Sequence, residues 1–241
     1  MDAAICGLMT SYDDGMVGKE KDRPMNICCI CGGDRFGLGP GGRMSSTGKP
    51  PRCLSCQSLE RHRIFRGVFS RLVCQELATF RCLQFSLDMT AQPEWFGEYE
   101  VSVYGGQNSL DLQHIDRPNA AYDVVICNHV LEHVGDDKAG LCELVRILSP
   151  KGFVFLSVPS PLDRPVTVDW GKPDASQHGH YRLYGSDFAQ LLKDTLPSAS
   201  RMSVIGVDPI TMTRDVIFFL CNDARGVAFV KGRIPELYTH E

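Results

Sequence analysis

"YDVVICNHVLEHVGDDKAGLCELVRILSPKGFVFLSVP", residues 122–159, is the stretch whose reading decides the fold. Its first seven residues, YDVVICN, are a near-continuous apolar run of the kind buried on both faces of a parallel sheet. Asp136 or Asp137 can cap a helix over 136–148, and Leu141, Leu144, Val145 and Leu148 form its apolar stripe. SPKG (149–152) stops that helix, and FVFLSVP (153–159) reads as a second buried strand.

The same alternation continues outward. FRCLQFS (80–86) and YEVSVYG (99–105) read as strands. A helix begins at Leu59, with Phe65, Val68, Phe69 and Leu72 on one stripe and Arg61, Arg63, Arg66 and Arg71 around its other sides. Downstream, a polar connection over 160–180 leads to a helix from about Ser186 to Leu192. MSVIGVD (202–208) and DVIFFLC (215–221) then predict an antiparallel hairpin at the end of the sheet. Strand and helix in alternation imply an open α/β sheet.

Ahead of the sheet stand two Cys-x-x-Cys pairs, Cys28/Cys31 and Cys53/Cys56, around the glycine-rich stretch GGDRFGLGPGGRMSSTGKPP (32–51). That composition cannot build a core, so a metal is expected to fix it. Each pair can turn two thiolates toward one ion, and four thiolates complete a tetrahedral Zn²⁺ site with no position left for water, hence a structural one. Cys29 leaves a shifted register open. The remaining cysteines, Cys6, Cys74, Cys82, Cys127, Cys142 and Cys221, are scattered and read as small core residues. The expected organisation is a flexible N-terminal arm over 1–24, a zinc-binding module over 25–57 and the α/β domain over 58–241.

Composition narrows the function. Lys+Arg is 25 against Asp+Glu 29, a net charge of −4, so the molecule as a whole is no polyanion binder. The arginines after Cys53 invite a nucleic-acid reading, but aromatic residues do not interleave with them. No run approaches the roughly 18 apolar residues of a membrane span. The N-terminus lacks a positive stretch before an apolar one, and 11 cysteines without a secretory signal point to a reducing, cytoplasmic compartment.

The order strand, NHVLEHV (128–134), helix, Leu-x-Pro-x-Gly (148–152), strand resembles the class I S-adenosylmethionine-dependent methyltransferases. With CLSCQSLERHR (53–63) upstream and HGHYRLYG (178–185) downstream, the chain from about 25 to 222 is similar to a subgroup with a four-cysteine zinc module before the methyltransferase domain. The resemblance implies a Rossmann-like sheet and S-adenosylmethionine as cofactor. The implied acceptor is a small molecule or saccharide, methylated on oxygen or nitrogen. Implied cofactor contacts are Ser86 and Asp88 after the first strand, Tyr104 after the second, Asp111 bordering the adenine after the third, and Asn128 and His129 after the fourth. The family's His-x-Arg-x-Tyr pattern falls on His180, Arg182 and Tyr184, and these with His178 are the candidates for chemistry. Their rival role is to anchor the following helix by hydrogen bonds. Glu132 and His133 are expected to brace the turn after the fourth strand.

Two departures from the family stand out. No glycine follows the first strand in LDMTAQPEW (87–95), and no acid ends the second in VSVYGGQN (101–108). They support a rival reading, an inert methyltransferase-fold binding module; a third reading, an RNA-modifying enzyme, rests on the basic helix after Cys56.

Overall fold

The computed structural model describes residues 26–106, 108–159 and 161–240. The expected arm over 1–24, with Cys6, lies outside the described residues. The chain divides into two compact units. The strands are β1 (Phe36–Gly37), β2 (Arg52–Cys53), β3 (Arg81–Phe85), β4 (Glu98–Ser102), β5 (Tyr122–Asn128), β6 (Leu148–Ser157), β7 (Val168–Asp174), β8 (His180–Leu183), β9 (Ser200–Val207), β10 (Arg214–Cys221) and β11 (Tyr238–Thr239). The helices are α1 (Glu60–Ser70), α2 (Asp137–Arg146), α3 (Phe188–Thr195) and α4 (Ala224–Lys231). Among the described residues no helix is long and apolar enough to cross a membrane.

The first unit holds the described residues through Arg71, together with 89–91 and 207–214. It is therefore larger than a 25–57 module, and two buried side chains of α1 bind the added segments. Arg63 on α1 is 0% exposed and forms a two-pronged ion pair with Asp208, also 0% exposed, at 2.7 and 2.8 Å. Its remaining donors go to the carbonyls of Pro51 (2.9 Å) and Ser58 (3.1 Å). Arg66 is buried too, donating to the carbonyls of Met89 and Ala91. The reading of the arginines as the outer sides of α1 is thus corrected for both. Arg63 points inward toward the Asp208 carboxylate of the 207–214 segment, and Arg66 toward carbonyls of 89–91.

The second unit is a seven-stranded sheet in the order β11-β9-β10-β6-β5-β3-β4. β4, β3, β5 and β6 run parallel, and β10 is antiparallel to β6. Side chains alternate across the sheet, so Val154 and Leu156 share one core with Leu141 and Leu144 of α2 and Phe188 and Leu192 of α3. Phe153 faces the other way, stacked on Phe229 of α4 with ring centroids 5.7 Å apart. Gly152 is required where β6 starts beside β5, because a Cβ there would meet the Asp123 carbonyl oxygen at 2.4 Å. SPKG accordingly lies within β6, whose pairing with β5 is irregular at this end.

The sheet departs from expectation at both edges. No strand forms between β4 and β5 among the described residues, where only an isolated Asp111–His114 bridge occurs, so Asp111 follows no third strand. At the far edge, β11 pairs antiparallel with β9 beyond the expected hairpin. The polar connection over 160–180 holds the antiparallel pair β7–β8, bent by Gly171 and Gly179, both at positive φ.

Replacing Arg63 by alanine leaves Asp208 buried without its partner. Chemical denaturation is expected to show a loss of about 3–5 kcal/mol, against under 1 kcal/mol for Arg61→Ala on the same helix.

Candidate active site and four-cysteine cluster

β3 pairs with β4 on one side and β5 on the other, so strand order reverses at β3. In an open α/β sheet ligands bind outside the carboxyl ends of the strands at such a reversal. A cavity of about 630 Å³ lies there, lined by Phe85 and Ser86 after β3, Tyr104 after β4, Asp111 and Gln113 in the following loop, and His129 after β5. That volume suits a small-molecule site of roughly 300–1,000 Å³.

The two residues that leave β3 and β5 at the cavity are strained. Ser86 has φ +59° and His129 φ +53°, the left-handed region that glycine occupies freely and other residues seldom enter. The turn that a glycine loop would make is therefore made here by a serine, at a cost of about 1–3 kcal/mol per residue. Ser86 is held by its amide, which donates to the Ser102 carbonyl at 2.8 Å.

Of the expected cofactor contacts, Ser86, Tyr104, Asp111 and His129 line the cavity. Asp88 and Asn128 are corrected. Asn128 is buried and donates to Asp88 at 3.1 Å, while Gln84 donates to the other Asp88 oxygen at 2.9 Å. Ser157 donates to the Asn128 side-chain oxygen at 3.0 Å. These bonds tie the β3 loop to the ends of β5 and β6, and neither side chain is on the cavity wall.

The His-x-Arg-x-Tyr pattern divides in the same way. Arg182 is buried and donates to the carbonyls of Val134 and Gly135, each at 2.8 Å, and to Asp169 at 2.8 Å. Tyr184 is fully buried and donates to Asp137 at 2.8 Å. Both clamp the segment between β5 and α2 and are corrected from chemistry to positioning. His178 is exposed at φ +59° and lies off the cavity wall. His180 packs edge-on against His133 with ring centroids 4.6 Å apart.

His133, Gln113 and Tyr181 line the cavity and were missed in the sequence. The Glu132–His133 pair was legible there, but only the turn Leu131–His133 shows that His133 reaches the cavity. Burial lowers the pKa of both His133 and His180, and neighbouring histidines add to it, so both rings are neutral at neutral pH.

The cysteines form two knuckles with matching bonds. Cys28 N donates to the Gly33 carbonyl and Cys53 N to that of Ser58. Gly32 N donates to Cys28 and Gln57 N to Cys53. Gly32 (φ +74°) and Gln57 (φ +63°) make the same left-handed turn after each pair. The four sulfur atoms lie within 4.8 Å of one another, with Cys28–Cys56 at 3.7 Å and Cys31–Cys53 at 3.6 Å. Zinc–sulfur bonds of about 2.3 Å place tetrahedral thiolates about 3.8 Å apart, so the set fits a zinc ion. Cys29 instead donates to the Arg63 carbonyl, which closes the alternative register. Burial pushes the Cys31 thiol up to about 12. At Cys56, hydrogen bonds from Ser58 and the neighbouring cysteines outweigh burial and bring it down to about 7.

The histidines set a pH dependence. Folded values of His133, His180 and His240 lie below the ordinary 6.5, so below that pH the unfolded chain binds more protons than the folded one. Their effect is absent above about pH 6.5 and grows as pH falls. Denaturation between pH 7.5 and 5 is expected to show falling stability, with a shallower fall in His180→Gln.

The family model described as a methyltransferase domain matches residues 86–195, a little under half of the chain. Similar solved structures include an S-adenosylmethionine-dependent methyltransferase from Thermotoga maritima, at 12% identity over 66% of this chain and 89% of that one, with a TM-score of 0.42. Another is the 1,6-didemethyltoxoflavin-N1-methyltransferase of Burkholderia thailandensis, at 15% identity over 67% and 78%, TM-score 0.41. A third is the CurJ carbon methyltransferase, at 14% over 68% and 55%, TM-score 0.46. A search of curated proteins finds no match. Residues 86–195 thus match a methyltransferase domain, and a four-cysteine cluster lies ahead of them.

Proposed function

We propose that the chain is an active S-adenosylmethionine-dependent methyltransferase acting on an oxygen or nitrogen of a small molecule or sugar, with a structural zinc ion on Cys28, Cys31, Cys53 and Cys56. The observation that carries this reading is the cavity at the reversal of strand order, entered by backbone that Ser86 and His129 hold in the left-handed conformation. Such strain persists where the surrounding structure enforces it, and it concentrates at ligand sites.

The residues present fit the cofactor. Phe85, Leu110 and Leu112 offer an apolar wall for an adenine-sized group, Tyr104 is 92% exposed at the rim, and Asp111 and Gln113 supply polar groups beside them. When bound, S-adenosylmethionine supplies a methyl group on a sulfonium, whose leaving group needs no protonation. The protein's part is to hold the acceptor in line and to take its proton. His133 stands on the cavity wall, within reach of an acceptor there.

The absence of an acid at the end of β4 favours the rival, an inert binding module on the same fold. Glu100 in mid-strand does not replace that acid, because Arg117, Asn108 and Tyr122 already donate to it. A nucleic-acid substrate loses support, since Arg63 and Arg66 are buried. The zinc reading implies a reducing, cytoplasmic setting.

Calorimetry with S-adenosylhomocysteine decides between enzyme and module. Binding at micromolar concentration is expected; no heat up to millimolar would remove the enzyme reading. Ser86→Gly relieves strain and is expected to keep the affinity and raise stability by up to about 1 kcal/mol. Ser86→Val, branched at a position that needs positive φ, is expected to weaken binding at least tenfold.

A further inference from the structure

We propose that Glu132, His133 and His180 form a second metal site, for a divalent transition ion, in the wall of the cavity, and that the acceptor is consequently a hydroxyl compound. The assignment of the site rests on geometry alone. The acceptor class rests in addition on the methyltransferase reading.

The ligand atoms of these three side chains lie within 4.8 Å of one another. They come from two separate segments, the turn Leu131–His133 after β5 and the first residue of β8. Two imidazoles and one carboxylate are a donor set that suits Zn²⁺, Mn²⁺ or Fe²⁺, and are too few oxygens for Ca²⁺ or Mg²⁺. Glu132 is only 1% exposed, so its carboxylate is held inside the protein beside the two rings. Nδ1 of His180 is buried and makes no hydrogen bond. His133 bonds to the backbone of Gly179, which fixes its ring and leaves the other nitrogen for an ion.

The support around the cluster matches the demands of a metal site. Arg182 and Tyr184 hold the segment that carries Glu132 and His133, and β8 carries His180 two residues before Arg182. The His-x-Arg-x-Tyr pattern is thereby explained as one ligand and two positioning residues. Three protein ligands leave open positions on the ion, the mark of a catalytic rather than a structural site. His133 lines the cavity, so an acceptor there reaches the ion. A divalent ion makes a hydroxyl far easier to deprotonate, the proton passing to solvent, and so favours oxygen over nitrogen as the methylated atom.

The test is metal content of the full chain after loading with excess zinc and dialysis, read by mass spectrometry. Wild type is expected to hold about two equivalents. His133→Gln and His180→Gln should each hold about one, and Cys53→Ser/Cys56→Ser should lose the other. Only one equivalent in the wild type, or two retained in both histidine variants, would overturn the site. Should the variants lose the wild-type circular dichroism spectrum, cobalt substitution of the wild type replaces them. A visible band from nitrogen- and oxygen-bound Co²⁺, separate from the thiolate bands, is then expected, and thiolate bands alone would overturn the site. S-adenosylhomocysteine calorimetry on the same samples separates the readings. Cofactor binding without the second equivalent sinks the metal site alone, and the second equivalent without cofactor binding sinks the methyltransferase reading and leaves the site standing.

Discussion

Parallel pairing of β3 with β4 on one edge and β5 on the other fixes the rest of the domain. The chain leaves β3 in one direction and returns beside it from the other, so no element crosses the carboxyl ends of the two strands. The cavity lies in the space so left, and whatever stands at the exits of β3 and β5 becomes its wall. Ser86 and His129 stand there, each in the left-handed conformation.

Two buried arginines do comparable work in the two units. Arg182 gives its donors to Val134, Gly135 and Asp169 and so sets the segment that presents His133 to the cavity. Arg63 gives its donors to Asp208, Pro51 and Ser58, and the Ser58 hydroxyl in turn bonds to Cys28 and Cys56. A buried guanidinium beside a cluster of thiolates also offsets the charge that such a cluster carries with zinc bound. In both units the cation is fully used by the protein, which removes it from any role with a phosphate.

Much of the fold was legible in the sequence, and each success has a local cause. YDVVICN and the 153–157 run are β5 and the body of β6 because apolar residues fill both faces of the sheet there. Asp136 caps α2 through the Ala139 amide, as its position before the apolar stripe suggests. The paired cysteines were legible because their spacing is set by knuckle geometry. β7–β8 was not, since Val168–Asp174 is largely exposed and polar and shows no apolar run or strict alternation. β11 was missed for a similar reason, being two residues on an edge.

The candidate site was less legible than the fold. Its residues depend on where side chains point after each strand, and residue type alone does not show that. Asn128 and His129 are neighbours, yet one turns into a hydrogen-bonded knot with Asp88 and the other onto the cavity wall. Arg182 and Tyr184 look reactive as residue types, but their partners lie some 47 residues upstream in the chain, visible only once β8 is placed.

The central claim is that cofactor binds where strand order reverses, and a crystal structure with S-adenosylhomocysteine tests it most directly. The account predicts the ligand against Ser86, Tyr104 and Asp111, with its sulfur toward His133. Ligand bound elsewhere, or an empty cavity at saturating concentration, would contradict it.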